Sequence, residues 1–318
     1  MKLPTFADVQ RAATLLIDVV HNTPIHTSRQ LNTVSQARVF LKCENFQRVG
    51  AFKFRGAYNA VANCQGNDPV IAVSSGNHAQ GIALACQLLG REAHLVMPKP
   101  VNPLKLAAVQ GYGGLVYAPD TREEGEQFGL DLAEKLHGTV IPAFNDYFVI
   151  AGQGTAALEF VQQVPELDVL LGPIGGGGLM SGTCLAAHGL NPTLKVYACE
   201  PAGALDAMYS VQEDRVVPQP NPQTIAEGLR TSVGELTLAV LRDHLAGFFV
   251  VEEQEIVEAM RFVYERMKLV IEPSSAVAMA PLLRQEPDLV GKRVGVIISG
   301  GNVDLTEFFD HINEKTTD

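Results

Sequence analysis

Tryptophan is absent from this 318-residue chain, and the five cysteines, Cys43, Cys64, Cys86, Cys184 and Cys199, never form a CxxC pair. That spacing specifies neither a zinc site nor a disulfide framework, so the thiols read as small core residues of a reducing, cytoplasmic compartment. Basic residues are also scarce. Against 35 Asp and Glu there are only 24 Lys and Arg, for a net charge of -11. A nucleic-acid partner, which demands a basic face, is argued against, and an anionic membrane surface is disfavoured on the same ground. No apolar run approaches the ~18 residues of a membrane span, and Met1-Lys2-Leu3-Pro4-Thr5-Phe6 has no apolar signal core. No fixed-period repeat occurs, and Pro218-Gln219-Pro220-Asn221-Pro222 reads as a surface loop.

Apolar residues are plentiful at 47%, enough for one large domain or two with a sizeable core. Residues 7–21 place Leu15, Leu16, Val19 and Val20 on one side of an opening helix that Asn22-Thr23-Pro24 should stop. From Val39 onward a pattern recurs: an apolar run, a Gly/Ser/Asn turn, then an Ala/Leu-rich helix. This is how strands cross over through helices into a parallel sheet. Three instances stand out. Val70–Ser74 leads through Ser75-Gly76-Asn77-His78 into a helix closed by Gly90. Val169–Ile174 leads through Gly175-Gly176-Gly177-Gly178 into a helix from Leu179 to His188 closed by Gly189. Val294–Ile298 runs into Ser299-Gly300-Gly301-Asn302. Turns at the carboxyl ends of parallel strands are where open α/β sheets bind ligands, so the three imply one shared site.

Lys53 lies between Phe52 and Phe54 in an otherwise apolar stretch. Loss of hydration there lowers an amine's pKa and frees a nucleophile for a Schiff base, whereas a lysine that snorkels to water keeps its charge. Four glycines before a helix offer bare N–H groups at its positive end, a cradle for phosphate or another anion, with a flexible linker as the bland reading. Dinucleotide binding is a further reading, with Glu200 as the ribose acid, but Met180 and Ser181 stand where G-x-G-x-x-G needs its third glycine. The hydroxyls, amide and backbone donors of Ser74–His78 can grip a carboxylate or simply cap a helix. An imine-forming amine, a phosphate cradle and a carboxylate-binding turn together describe pyridoxal phosphate holding an amino acid.

Phe52-Lys53-Phe54-Arg55-Gly56-Ala57, the Ser74–Gly81 run, the tetraglycine and Ser299–Asn302, in this order over nearly the whole chain, resemble the serine/threonine dehydratase and serine racemase family. That family belongs to the tryptophan-synthase-like class of pyridoxal-phosphate enzymes. The resemblance implies an α/β fold of two domains, each with a mostly parallel sheet flanked by helices. Residues 1–68 and 147–318 would form a large cofactor-binding domain, and 69–146 a small mobile substrate-binding one. Lys53 would carry the cofactor and act as the base at Cα, Gly175 to Gly178 would hold its phosphate, Asn77 its ring hydroxyl and Phe52 its ring face. Ser299 would meet the pyridine nitrogen. Ser74, Ser75, Asn77 and His78 would receive the substrate, with Ser75 able to protonate the opposite face of Cα. Glu200-Pro201-Ala202-Gly203-Ala204-Leu205-Asp206 resembles the family's cation loop, with Glu200, the Ala204 carbonyl and Asp206 as ligands of magnesium or calcium. A helix start with favourable acids explains the same residues.

The activity implied is elimination of water from L-serine or L-threonine to a 2-oxo acid and ammonia, because cysteine synthases usually carry Thr-Ser-Gly-Asn-Thr in place of Ser-Ser-Gly-Asn-His. Serine racemisation and dehydration of 3-hydroxyaspartate are the alternatives, together with a non-enzymatic anion-binding protein. For 3-hydroxyaspartate the run Glu44–Lys53 resembles the matching dehydratases, and Arg122 or Arg230 would have to meet the extra carboxylate. Glu272 reads as a carboxylate near the ring or as a helix-start acid. A homodimer is expected, and the short stretch after Asn302 leaves no room for a regulatory domain.

Overall fold

The computed structural model describes residues 2–313. Residue 1 and residues 314–318, the outer ends of the expected large domain, lie outside the described residues. Among the described residues ten strands are distributed over two sheets. They are β1 (Ile25–His26), β2 (Arg38–Cys43), β3 (Val70–Val73), β4 (Ala93–Val96), β5 (Leu115–Tyr117), β6 (Thr139–Val140), β7 (Val169–Pro173), β8 (Lys195–Pro201), β9 (Gly247–Val251) and β10 (Arg293–Ile298). One sheet has the order β1-β2-β10-β7-β8-β9 and is parallel except for β1. The other, β5-β4-β3-β6, is parallel throughout. Both are flanked by helices, the α/β architecture read from the recurring strand, turn and helix pattern. The central strands β7 and β10 are almost wholly buried, as expected of parallel strands covered on both faces.

The helix Lys53–Asn63 joins the two halves. Phe54, Ala57, Ala60 and Val61 contribute to the core around the four-stranded sheet. Its other face meets the helix Tyr147–Gln163, where a Cβ on Gly152 would stand 2.7 Å from the Arg55 carbonyl oxygen and 2.7 Å from the Gly56 Cα. Only glycine permits that approach, which fixes the start of the helix, and so Lys53, against the larger sheet. Behind it a buried charge cluster joins Arg55 to Glu44 and Glu159, with Lys42 on the Glu159 side.

Two local expectations are corrected. The opening helix covers Phe6–Leu16 and stops well before Asn22, because backbone groups of Val19 and His21 are taken by the side chains of Arg48 and Gln47. Gly189 does not close its helix, which runs from Gly178 to Leu190. A Cβ at Gly189 would lie 2.1 Å from the Phe6 ring, so glycine there makes room for a neighbouring helix. Gly90, by contrast, ends its helix at φ +67.

Candidate active site

Loops following β3, β7 and β10 line one cavity of about 460 Å³, together with the start of the helix Lys53–Asn63. The structure brings Phe52, Lys53, Ser74, Ser75, Asn77, His78, Gly175, Gly176, Gly177, Gly178 and Ser299 to its wall. Glu200, Ala204 and Asp206 are not among the wall residues.

Lys53 is partly buried, and its Nζ donates to the Ala143 carbonyl oxygen at 2.8 Å. Burial pushes its pKa down to about 8, outweighing the opposing pull of Glu272. Near neutral pH this amine is therefore a far better nucleophile than a lysine in water. The Phe52 ring centroid lies 5.2 Å from the same Nζ.

After β7 the chain turns through the glycines, with Gly177 at φ +85 as the residue preceding the helix Gly178–Leu190. A Cβ on Gly176 would lie 2.3 Å from the Phe144 ring, and one on Gly175 2.8 Å from the Leu229 Cα. The loop is pressed between these neighbours, and only bare backbone fits. The first amides of the helix have no intrahelical acceptors and sit at its positive end, at the cavity wall, a donor set suited to phosphate.

Asn77 opens the helix Asn77–Leu89, and its amide is held by two neighbours. Nδ2 donates to both Glu272 oxygens at 3.0 Å, and Oδ1 accepts from Asn302 Nδ2 at 2.9 Å. Asn302 also donates to the Val49 carbonyl oxygen at 2.6 Å, tying this network to the turn before Lys53. Burial raises the pKa of Glu272, opposed by its bond from Asn77 and by the charge of Lys105. Glu272, read from the sequence as a carboxylate near the ring or a helix-start acid, thus turns to Asn77, and Asn302, which the sequence left without a role, joins it there. Asn302 ends a motif already singled out, which was the one available signal.

Ser299 is buried with Oγ 2.8 Å from Ser275 Oγ, and its carbonyl accepts the Phe52 N–H at 2.9 Å. A hydroxyl, not a carboxylate, therefore occupies the position expected to meet a ring nitrogen. His78 is buried, and its Nε2 lies 3.0 Å from the Ile141 carbonyl oxygen. A carbonyl only accepts, so Nε2 carries the proton and Nδ1, which has no partner, is a bare acceptor. Burial first and the Lys53 charge second push the His78 pKa down to about 3, keeping the ring neutral.

In the second cluster, Glu200 at the end of β8 accepts from the backbone N–H groups of Ala207 at 2.7 Å and Met208 at 2.9 Å. It thus anchors the start of the helix Asp206–Glu213. Asp206 Oδ2 is buried without a partner. Burial pushes Glu200 up to about 8 and Asp206 up to about 7. Among the described residues no group of three or more His, Cys, Asp or Glu side chains assembles. A cation here would draw on Asp206 Oδ2, the Glu200 carboxylate, backbone oxygen and water, a set that suits a hard ion.

Comparison with known proteins places this geometry. A family model described as pyridoxal-phosphate dependent enzyme matches residues 16–300. An L-threo-3-hydroxyaspartate ammonia-lyase of Saccharomyces cerevisiae is 44% identical, covering 99% of this chain and 98% of the relative. Maize serine racemase superposes with a TM-score of 0.94 at 36% identity, covering 97% of each chain. The serine racemase of Dictyostelium discoideum gives 0.89 at 40% identity, covering 95% of this chain and 99% of the other.

Proposed function

Because this chain belongs to the pyridoxal-phosphate-dependent enzyme family, we propose that it is an ammonia-lyase for β-hydroxy-α-amino acids with 3-hydroxyaspartate as preferred substrate. The observation carrying the reaction class is the partly buried Lys53 amine, its pKa near 8, sharing one cavity with the glycine loop and the Ser74–Asn77 turn. The cavity wall also holds Lys99, Lys105, Arg122 and Arg230 against Glu227 and Glu272. The buried cation Lys105 on that wall, with the 44% identical 3-hydroxyaspartate ammonia-lyase, favours a dicarboxylic substrate over serine or threonine.

The residues present fit pyridoxal phosphate. The glycine loop and the amides of the helix Gly178–Leu190 would hold its phosphate, Phe52 and Asn77 its ring, and Lys53 its aldehyde. When bound, the cofactor supplies an electron sink that acidifies the substrate Cα–H. Lys53, once its amine is released, takes that proton and is positioned to return one after the β-hydroxyl has left. The hydroxyl of Ser299 cannot balance a full positive charge on a ring nitrogen, which limits the sink and favours elimination over transamination. The backbone donors of Ser75 to Asn77 orient the substrate α-carboxylate, and neutral His78 offers an acceptor beside them. The net change converts the substrate to a 2-oxo acid and ammonia, the water lost in elimination being regained in hydrolysis.

Residues 69–146 carry both the four-stranded sheet and the Ser74–His78 turn, which supports reading them as the substrate-side domain. The unpartnered Asp206 oxygen supports a magnesium or calcium site with the Ala204 carbonyl and Glu200. A second reading, racemisation, is favoured by one observation: Ser75 lines the same cavity as Lys53 and supplies a second proton-carrying group. Assay of purified holoenzyme with 3-hydroxyaspartate, L-serine and L-threonine tests the proposal. It fails if D-serine formation exceeds 2-oxo acid formation from every substrate. Ser75→Ala should then abolish racemisation selectively.

A further inference from the structure

Four cations besides Lys53 line the cavity, and three of them, Lys99, Arg122 and Arg230, are themselves exposed. Lys99 pairs with Asp120 at 2.8 Å, both well exposed, and Arg122 pairs with Glu126 one helical turn away. Arg230 donates Nε and Nη2 to the Thr224 carbonyl oxygen at 2.9 and 2.5 Å. Lys105 differs. Its side chain is only 9% exposed, and its Nζ pairs with Glu227, whose side chain is 51% exposed. Lys105 belongs to the helix Pro103–Gly111 beside the four-stranded sheet, whereas Glu227 begins the turn Glu227–Leu229 that packs at the glycine loop of the larger one. The pair therefore bridges the two walls of the cavity.

A buried ammonium cannot lose its counter-ion cheaply, but it can exchange one carboxylate for another. The exchange is favourable when the displaced carboxylate is already half in water. Burial lowers the pKa of Lys105, while Glu272 and Glu307 oppose and Arg230 reinforces that shift, so a close carboxylate helps keep the amine charged. We propose that Lys105 reads the distal carboxylate of a dicarboxylic substrate, and that Glu227 is a resident stand-in which the substrate displaces. This inference rests on the dicarboxylic reading of the site given above. A monocarboxylic hydroxyamino acid has no group with which to compete, so for it the Lys105–Glu227 pair stays closed.

The test uses holoenzyme carrying Lys105→Gln or Glu227→Gln. It compares kcat/KM for 3-hydroxyaspartate and L-serine, and the Kd values of L-aspartate and L-alanine, which lack a β-hydroxyl to eliminate, read from cofactor absorbance. Loss of one charge-assisted contact predicts a fall of roughly 10- to 100-fold in the 3-hydroxyaspartate to serine ratio for Lys105→Gln. L-aspartate binding should weaken by a similar factor relative to L-alanine. Glu227→Gln should lower KM for 3-hydroxyaspartate severalfold. Parallel loss for both substrates in both variants would make the pair a plain latch and overturn the proposal, as would an unchanged ratio. Wild-type enzyme inert toward 3-hydroxyaspartate overturns the functional reading instead. Lys105-dependent preference for L-aspartate in that same enzyme would still uphold the subsite, and its absence would remove it.

Discussion

Arg55 follows Lys53 by two residues on the same helix, and replacing it with methionine tests how that helix is anchored. The guanidinium is fully buried. Nε donates to Glu44 Oε2 at 2.7 Å, Nη1 to Glu159 Oε1 at 2.7 Å and Thr155 Oγ1 at 3.2 Å, and Nη2 to Glu44 Oε1 at 2.8 Å and Glu159 Oε2 at 2.9 Å. Lys42 Nζ, also buried, lies 2.9 Å from Glu159 Oε2, so two cations and two carboxylates leave the cluster neutral. Methionine keeps most of the stem's volume but leaves two carboxylates facing one lysine. Breaking such a pair costs about 3–5 kcal/mol. At about 2 °C per kcal/mol for a chain of this size, Tm should fall by roughly 6–10 °C.

The pH dependence should reverse as well. Burial alone would raise the Glu44 pKa, but the charge and hydrogen bonds of Arg55 win and hold it below its usual value. In wild-type protein this contribution is present above the unfolded pKa and lost as pH falls through the folded one. In Arg55→Met, burial is left without its main opponent and the pKa rises, so mild acidification should stabilise the variant. Thermal melts at pH 5 and 7.5 read both effects, and Glu44→Gln with the double variant completes a cycle. A Tm within about 2 °C of wild type, or strictly additive losses, would refute the argument that these charges act as one buried unit.

Lys53→Ala should retain no cofactor covalently after borohydride reduction and lose about 1,000-fold or more in turnover, with mass spectrometry of the reduced peptide as the check. In apo-protein, the rate at which Lys53 captures added pyridoxal phosphate should climb with pH and level off above about 8, where the amine is neutral; a rise continuing to pH 10 contradicts the burial argument. Gly176→Ala drives a Cβ to within 2.3 Å of the Phe144 ring. Overpacking of about 1–3 kcal/mol should weaken cofactor binding by about 5- to 150-fold in a fluorescence titration. Magnesium or calcium at about 100 times its Kd should stabilise wild-type protein by about 2.7 kcal/mol and leave Asp206→Asn unmoved, whereas equal shifts in both would place the ion elsewhere.

Much of the site was legible because its parts are local. A strand, a glycine or serine turn and a helix are adjacent in sequence, so the loops after β3, β7 and β10 could be read individually and their convergence followed from the rules of parallel sheets. Glu272 shows where this stops. It precedes the helix Pro273–Ala276, as a helix-start acid should, but its side chain makes no cap and turns instead to Asn77. That choice depends on a partner on another element far away in the chain, which no local pattern encodes. The Lys105–Glu227 pair is hidden for the same reason: neither residue sits in a motif, and only the folded cavity brings them together. Gly189 misled because glycine serves close packing as readily as it ends a helix, and the Phe6 ring it accommodates lies at the other end of the sequence.

Lys53 and the glycine loop are proposed to hold pyridoxal phosphate for elimination from a dicarboxylic hydroxyamino acid. The most direct measurement supplies purified holoenzyme separately with 3-hydroxyaspartate, L-serine and L-threonine, and quantifies ammonia, 2-oxo acid and D-serine in each sample. Stoichiometric ammonia and 2-oxo acid are expected, with the highest kcat/KM for 3-hydroxyaspartate. D-serine as the dominant product, or no ammonia from any of the three, would contradict this proposal.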